Sequence, residues 1–229
     1  MKRPAIVAIS GFSSEVGKTT LMCDLLGAFP DWEAIKVTRG HYRSCGKDPN
    51  ACCVSDLLSD EPVVRSSREE NYAPGKDTGR YWDAGAANVH WVIVTESQVE
   101  QGIKQALERV TAPGVFIEGN SILDFVKADF ALMVSRASGG KIKGSARRAL
   151  SRTSAMYLSN LTEQGTDERN KFARWRKQSR MDELIGDLPL YTRDDLPELI
   201  AQVQKIGVTA DLGTGFAAAG QSELLPGPR

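Results

Sequence analysis

Short apolar runs alternate with amphipathic stretches along this chain. Ala5-Ile6-Val7-Ala8-Ile9 is apolar and β-branched throughout, the pattern of a strand buried on both faces. Ala34-Ile35-Lys36-Val37-Thr38 reads as a second strand, and residues 89–95, 114–118, 130–134 and 155–160 as further ones. Leu188-Pro189-Leu190-Tyr191-Thr192 reads as a last short strand. Between the strands the period changes. Leu21, Leu25 and Leu26 have helical spacing, as do Val99, Ile103, Leu107 and Val110 within 96–110. Asp194-Asp195-Leu196-Pro197 opens a helix through Ile206, with acids in its first turn. Strands and helices in alternation predict an α/β fold, with helices on both faces of a mostly parallel central sheet.

Two segments break this rhythm. Residues 39–79 are polar and rich in Gly, Pro, Ser, Cys and charge, with a short helix predicted near Val54 to Leu58. A connection of that length is read as a functional loop insertion. Residues 207–229 are rich in Gly, Ala and Pro without a period, and are expected to form a flexible tail. Residues 1–206 are therefore taken as one domain. A basic segment, 136–152, carries Arg136, Lys141, Lys143, Arg147, Arg148 and Arg152 around Gly139-Gly140. It is read as a solvated helix face, with a basic lid over phosphates as the alternative.

Composition narrows the function classes. The chain has 229 residues, 41% hydrophobic and 25% charged, enough for one α/β domain with a full core. Lys plus Arg and Asp plus Glu are 29 each, so bulk charge gives no drive toward nucleic acid. No apolar stretch approaches the ~20 residues of a membrane span. Lys2-Arg3-Pro4 leads straight into the first strand without a signal-peptide pattern. A cytoplasmic location with reduced thiols is expected.

The first strand ends in Gly11-Phe12-Ser13-Ser14-Glu15-Val16-Gly17-Lys18-Thr19 and a helix follows, beginning with Thr20. This is read as a phosphate-binding loop of the G-x-x-x-x-G-K-[ST] type. Its glycines let backbone amides turn around a polyphosphate, Lys18 reaches the β and γ phosphates, and Thr19 holds Mg²⁺. The helix N-terminus adds its positive dipole end. Such a site needs a second carboxylate at the end of a neighbouring strand. Glu118 follows Val115-Phe116-Ile117 and is the candidate, with Asp124 a weaker one beyond the turn. The fold class implied is a three-layer, P-loop NTPase-like α/β domain, with GTP or ATP and Mg²⁺ as ligands.

Gly75-Lys76-Asp77-Thr78-Gly79-Arg80-Tyr81-Trp82-Asp83-Ala84-Gly85-Ala86 resembles the G-K-D-[ST]-x-[RK]-x-x-x-A-G-A segment of the molybdopterin-guanine dinucleotide biosynthesis protein B family. Ile117-Glu118-Gly119 is similar to that family's strand ending in E-G. With the phosphate loop, the resemblance spans residues 5–135. It implies a nucleotide-dependent role carried by Gly17, Lys18, Thr19, Asp77 and Glu118. Asp77, on a glycine-flanked turn, would hold a Mg²⁺-bound water, and Arg80 would contact a phosphate. No N-K-x-D sequence is present to read guanine, and Asn160, at a strand end, is the candidate base contact.

The cysteines are Cys23, Cys45, Cys52 and Cys53. Cys23 is expected to be a small buried hydrophobe. His41, Cys45, Cys52 and Cys53 share one loop and suit a Cys₃His zinc site, against unconnected thiols. His41, Arg39 and Arg43 close to the second strand suit an anionic substrate. His90, in an apolar strand, is expected to be a core residue with a satisfied hydrogen bond.

Three functions follow. The first is Mg²⁺-dependent nucleotide binding with slow hydrolysis, as an accessory factor in molybdopterin-type cofactor biosynthesis. The second is an ATP-dependent small-molecule kinase or ligase acting on a small anionic acceptor, with Asp77 as general base. The third is a nucleotide-switched metal carrier using the Cys/His loop. Expected partners are the nucleotide, the acceptor or a cofactor-biosynthesis protein, and a second copy in a homodimer.

Overall fold

The computed structural model describes residues 3–40, 54–119, 121–159 and 167–212. Among them, eight strands form one sheet: β1 (Ala5–Gly11), β2 (Glu33–Arg39), β3 (Val63–Arg65), β4 (Val89–Val94), β5 (Gly114–Glu118), β6 (Phe130–Arg136), β7 (Ala155–Ser159) and β8 (Leu190–Tyr191). Their spatial order is β3-β4-β2-β5-β1-β6-β7-β8. Every pairing is parallel except β3 with β4, where the short edge strand runs antiparallel. The helices are α1 (Lys18–Ala28), α2 (Arg68–Asn71), α3 (Asp77–Asp83), α4 (Val99–Arg109), α5 (Ile122–Phe125), α6 (Gly144–Leu150), α7 (Glu168–Gln178), α8 (Asp182–Ile185) and α9 (Leu196–Leu212).

The two-residue period of a strand sorts the core into layers. Along β1, Ala5, Val7 and Ile9 pack with Leu21, Leu25 and Leu26 of α1 and with Leu199 and Val203 of α9. Ile6 and Ala8 point the other way. Ile6 meets Val99 and Ile103 of α4, while Ala8 meets Ala146 and Leu150 of α6 and Phe172 of α7. The same alternation holds at Ala34 against Ile35, Phe116 against Val115 and Ile117, and Tyr157 against Met156 and Leu158. Strands read from unbroken apolar runs are thus covered on both faces, as a parallel sheet requires.

An aromatic trio closes the α1 side. Trp32 lies 4.8 Å, between ring centroids, from both Phe29 and Phe116. Gly114 makes this possible, since a Cβ there would fall 2.2 Å from the Trp32 ring. At the same end His90 is fully buried between Glu33 (2.6 Å) and Ser66 (2.9 Å), a core histidine with both ring nitrogens bonded.

The structure departs from the sequence reading in three places. Residues 39–79 hold more than a loop: a 3-10 turn at Ser55–Leu57 stands near the expected helix, and β3 and α2 follow it. β3 is only three residues long, and its sequence, Val63-Val64-Arg65, has no alternation to show. The last helix runs to Leu212, so the first residues assigned to the tail are helical. The helices α5, α7 and α8 were not anticipated. α7 reads Glu-Arg-Asn-Lys-Phe-Ala-Arg-Trp-Arg-Lys-Gln and buries only Phe172, too narrow a stripe to register as a period.

Phe116→Ala is expected to cost about 3–5 kcal/mol, because it removes a fully buried ring from an aromatic cluster and leaves a cavity. Urea unfolding measures this as a lower midpoint at unchanged slope.

Candidate phosphate and cation site

β1 delivers the loop from the C-terminal edge of the sheet, where open α/β sheets bind ligands. Counting back from Lys18 corrects the motif. Five residues, not four, separate Gly11 from Gly17, and the pattern's first glycine falls on Phe12. Gly11 nonetheless leaves room for the loop to pack, since a Cβ there would meet Val16 at 2.7 Å and the Lys18 side chain at 2.9 Å and force them to shift. Phe12 turns its ring into the core, 5.6 Å from Trp175 and 6.4 Å from Phe172. The loop turns through left-handed backbone at Glu15 (φ 57°) and Gly17 (φ 92°). Ser159 at the end of β7 donates to the Val16 carbonyl at 2.6 Å and ties the loop to the sheet.

Lys18 folds back over the loop and donates to the Ser13 carbonyl at 3.0 Å. Burial holds its ammonium below the usual lysine value; Glu118 opposes this, and Lys36 and Lys143 add smaller pushes downward. An anion in the loop would reverse the balance.

Glu118, buried at the end of β5, shares a face with Phe116 and so points toward α1. Parallel register sets Lys36 of β2 directly beside it. Lys36 Nζ stands 2.6 Å from both Glu118 and Asp77. Thr19 Oγ1 lies 3.0 Å from Glu118 and 3.1 Å from Asp77, while the Tyr81 hydroxyl donates to Glu118. Burial pushes the Lys36 ammonium down, but Glu118 and Asp77 outweigh it and raise its value. Burial likewise pushes Asp77 up, and Lys36 then carries it below the usual aspartate range. Tyr81 is fully buried, and burial with the Glu118 charge holds its phenol protonated well above the ordinary value.

The donor set fits a hard divalent cation. Two carboxylates and a hydroxyl from three elements converge, all oxygen ligands. Thr19 has a single proton to donate, so it can serve only one of the two carboxylates at a time. The surplus of oxygen lone pairs is offset here by the Lys36 ammonium, a positive charge of the chain's own.

Asp77 reaches this site as the first residue of α3, not from a free turn as expected. Gly75 takes φ 73°, and Gly79 lets Ala73 lie on the helix, since a Cβ there would stand 2.0 Å from the Ala73 carbonyl oxygen. Asn71 anchors the approach by donating to the Arg65 and Val89 carbonyls at 3.0 and 2.7 Å. Arg80 sits 3.3 Å from the Thr20 hydroxyl.

A cleft of about 550 Å³ opens over these groups, lined by the loop from Ser13 to Thr20, by Lys36, Asp77, Arg80 and Glu118, and also by Arg39, Ser121 and Lys143. Asp124 stands apart from it, paired with Arg148 (3.6 Å) and Arg152 (3.4 Å). The basic segment divides. Lys143 and Arg136 bond to the phosphate loop and Arg148 and Arg152 pair with Asp124, all six cations being exposed, Lys141 and Arg147 included. Cys23 is half-buried, with its thiol pushed up to about 11 by burial. The expected roles of His41, Arg43, Cys45, Cys52, Cys53 and Asn160 lie outside the described residues.

Sequence reasoning missed Lys36 and Tyr81. A lysine inside an otherwise apolar strand was the available signal for the first. For Tyr81 the sequence offers no local signal, since its partner Glu118 lies on a distant strand.

No family model matches the sequence, and no curated protein matches it. Among solved structures, the chain is similar to HypB from Helicobacter pylori in complex with nickel, at TM-score 0.50 and 14% identity over 95% of this chain and 92% of that one. It is also similar to the "apo" form of LpxK from Aquifex aeolicus in complex with ATP (TM-score 0.46, 16% identity), covering 82% of this chain and 53% of that one. A third is the signal recognition particle 54 kDa protein from Aeropyrum pernix in complex with GDP (TM-score 0.43, 15% identity), covering 93% and 48%. Among the described residues, no helix is long and apolar enough to cross a membrane. The chain has the α/β fold of P-loop NTPases, built on an eight-stranded, mostly parallel sheet.

Proposed function

We propose that this chain binds a Mg²⁺–nucleoside triphosphate in the cleft over β1, β2 and β5 and hydrolyses it slowly. One observation carries the reading: the Thr19 hydroxyl of the phosphate loop touches the carboxylates of both Asp77 and Glu118. These acids come from separate segments, and a chance Gly/Ser loop would not collect them. Loop amides and the start of α1 supply fixed positive dipoles for the phosphates. Lys18 exchanges the Ser13 carbonyl for phosphate oxygens. Thr19, Asp77 and Glu118 would hold Mg²⁺, which supplies charge neutralisation across the β and γ phosphates. Lys36 keeps the two carboxylates together before the nucleotide arrives. The domain acts as one unit, and the resemblance at residues 75–86 and 117–119 supports an accessory role in molybdopterin-type cofactor biosynthesis.

A second reading, an ATP-dependent kinase or ligase, draws on the wall of the cleft formed by Arg39 and Ser121. That wall offers polar groups for a small anionic acceptor.

Calorimetric titration with ATP and with GTP, each with Mg²⁺, tests the proposal and chooses the base. One nucleotide should bind, with Lys18→Ala weakening it at least tenfold, the loss of roughly one charge-assisted contact. Glu118→Gln should keep nucleotide binding while losing its dependence on Mg²⁺. Absence of binding to either nucleotide would sink the reading.

Lys36→Met should destabilise the nucleotide-free protein by about 2–3 kcal/mol, the low end for a broken buried pair because Asp77 is open to solvent on one side. The wild-type contribution has two limits. Asp77 is lowered in the fold, so its share is complete above ~4 and fades as pH falls through the lower folded value. Lys36 is raised, so its share is complete below ~10.4 and fades as pH rises through the folded value. Urea midpoints across pH should flatten at both limits in Lys36→Met, and Mg²⁺ should restore part of the deficit.

A further inference from the structure

The connection between β6 and α6 grips the outer rim of the phosphate loop. Arg136 donates to the Glu15 carbonyl at 3.1 Å, and the Lys143 backbone amide donates to the Phe12 carbonyl at 2.9 Å. The connection is itself pinned. Gly139, at φ 68°, lies so close to Trp175 that a Cβ would fall 2.0 Å from its ring, and Trp175 also packs on Phe12. The backbone beneath Lys143 is therefore fixed from two sides, whatever its side chain does.

The side chain is placed differently from the other two ammoniums of the cleft. Lys36 neutralises Asp77 and Glu118, and Lys18 lies on the loop's own carbonyl. Lys143 Nζ rests 2.9 Å from the Ser14 hydroxyl, a neutral group, and among the described residues no carboxylate pairs with it. It lines the same cleft as Lys18. Lys143 is exposed, held among the described residues only by a neutral hydroxyl and otherwise by solvent, so its ammonium is free to turn to an anion in the cleft it lines.

Resting on the nucleotide reading above, we propose that Lys143 contacts the terminal phosphate of the bound triphosphate. Its ammonium leaves Ser14 for γ-phosphate oxygens, so the β6–α6 connection distinguishes triphosphate from diphosphate. The inner phosphates remain with the loop amides and Lys18.

The test is calorimetry with Mg²⁺ and the triphosphate or diphosphate of adenosine and of guanosine. The proteins are wild type, Lys143→Ala, Lys143→Gln, Lys141→Ala and Lys18→Ala. Lys143→Ala should weaken the triphosphate about tenfold or more, the scale of a lost charged hydrogen bond, and the diphosphate by less than about twofold. Lys143→Gln keeps a donor for Ser14 without the charge and should show the same selective loss. Exposed Lys141→Ala should change neither. Equal weakening of both nucleotides in Lys143→Ala, with rescue by glutamine, would assign Lys143 to loop support and overturn the proposal. No change in either nucleotide would also overturn it. Failure of wild type to bind any nucleotide, or full binding by Lys18→Ala, would overturn the nucleotide reading itself, a result separable from an unselective Lys143.

Discussion

The functional end of this molecule depends on one ammonium placed between two carboxylates. Glu118 is nearly inaccessible to solvent, and Asp77 is half-open beside it. Two such anions next to a hydroxyl would repel in a region of weak solvation. Lys36 resolves the conflict at 2.6 Å from each. Its position follows from strand register, because β2 and β5 are neighbours and Lys36 falls opposite Glu118. The sheet thus does more than support the loop. It sets the charge balance that allows α3 to dock its N-terminal acid against α1.

This arrangement explains why the segment from Asn71 to Asp83 is so constrained. Asp77 must approach Thr19 across the top of β2, and the approach is held by the Asn71 side chain, which accepts from Trp82 Nε1 at 2.7 Å while donating to two backbone carbonyls. Thr78 closes the corner by donating to the Asn71 carbonyl at 2.6 Å. Gly79 removes the one Cβ that would push the corner away. The glycine and aspartate spacing that reads as a motif is, physically, a bracket that carries one carboxylate to a phosphate loop. The same bracket brings in the buried Tyr81, whose hydroxyl donates to Glu118, so α3 serves both carboxylates of the site.

How much of this could be read from the chain depended on how local each cause was. The buried strands announced themselves as apolar runs, and the loop and Glu118 followed from strand–turn–helix order. Lys36 gives no such signal of its role, because that role exists only through pairing with β5, some eighty residues away. The three-residue β3 and the narrow-faced α7 carried no period long enough to detect. Asp77 was selected for its resemblance to a known segment, and the helix that begins there was obscured by flanking glycines. The spacing of the phosphate loop was misjudged by one residue, since the glycine–lysine ending is conspicuous and its beginning is not.

Phe12 stands where the motif's first glycine would fall, so the loop must place a large ring that a glycine would not bring. Here Phe12 turns into the core against Phe172 and Trp175, and Glu15 accepts left-handed backbone. A non-glycine residue in that conformation costs of order 1 kcal/mol and persists when neighbours over-determine it. The Arg136 bond to the Glu15 carbonyl and the Lys143 amide bond to Phe12 are those neighbours. The phosphate loop and the basic connection that grips it are therefore held as one piece, with Phe12 and Trp175 packed between them.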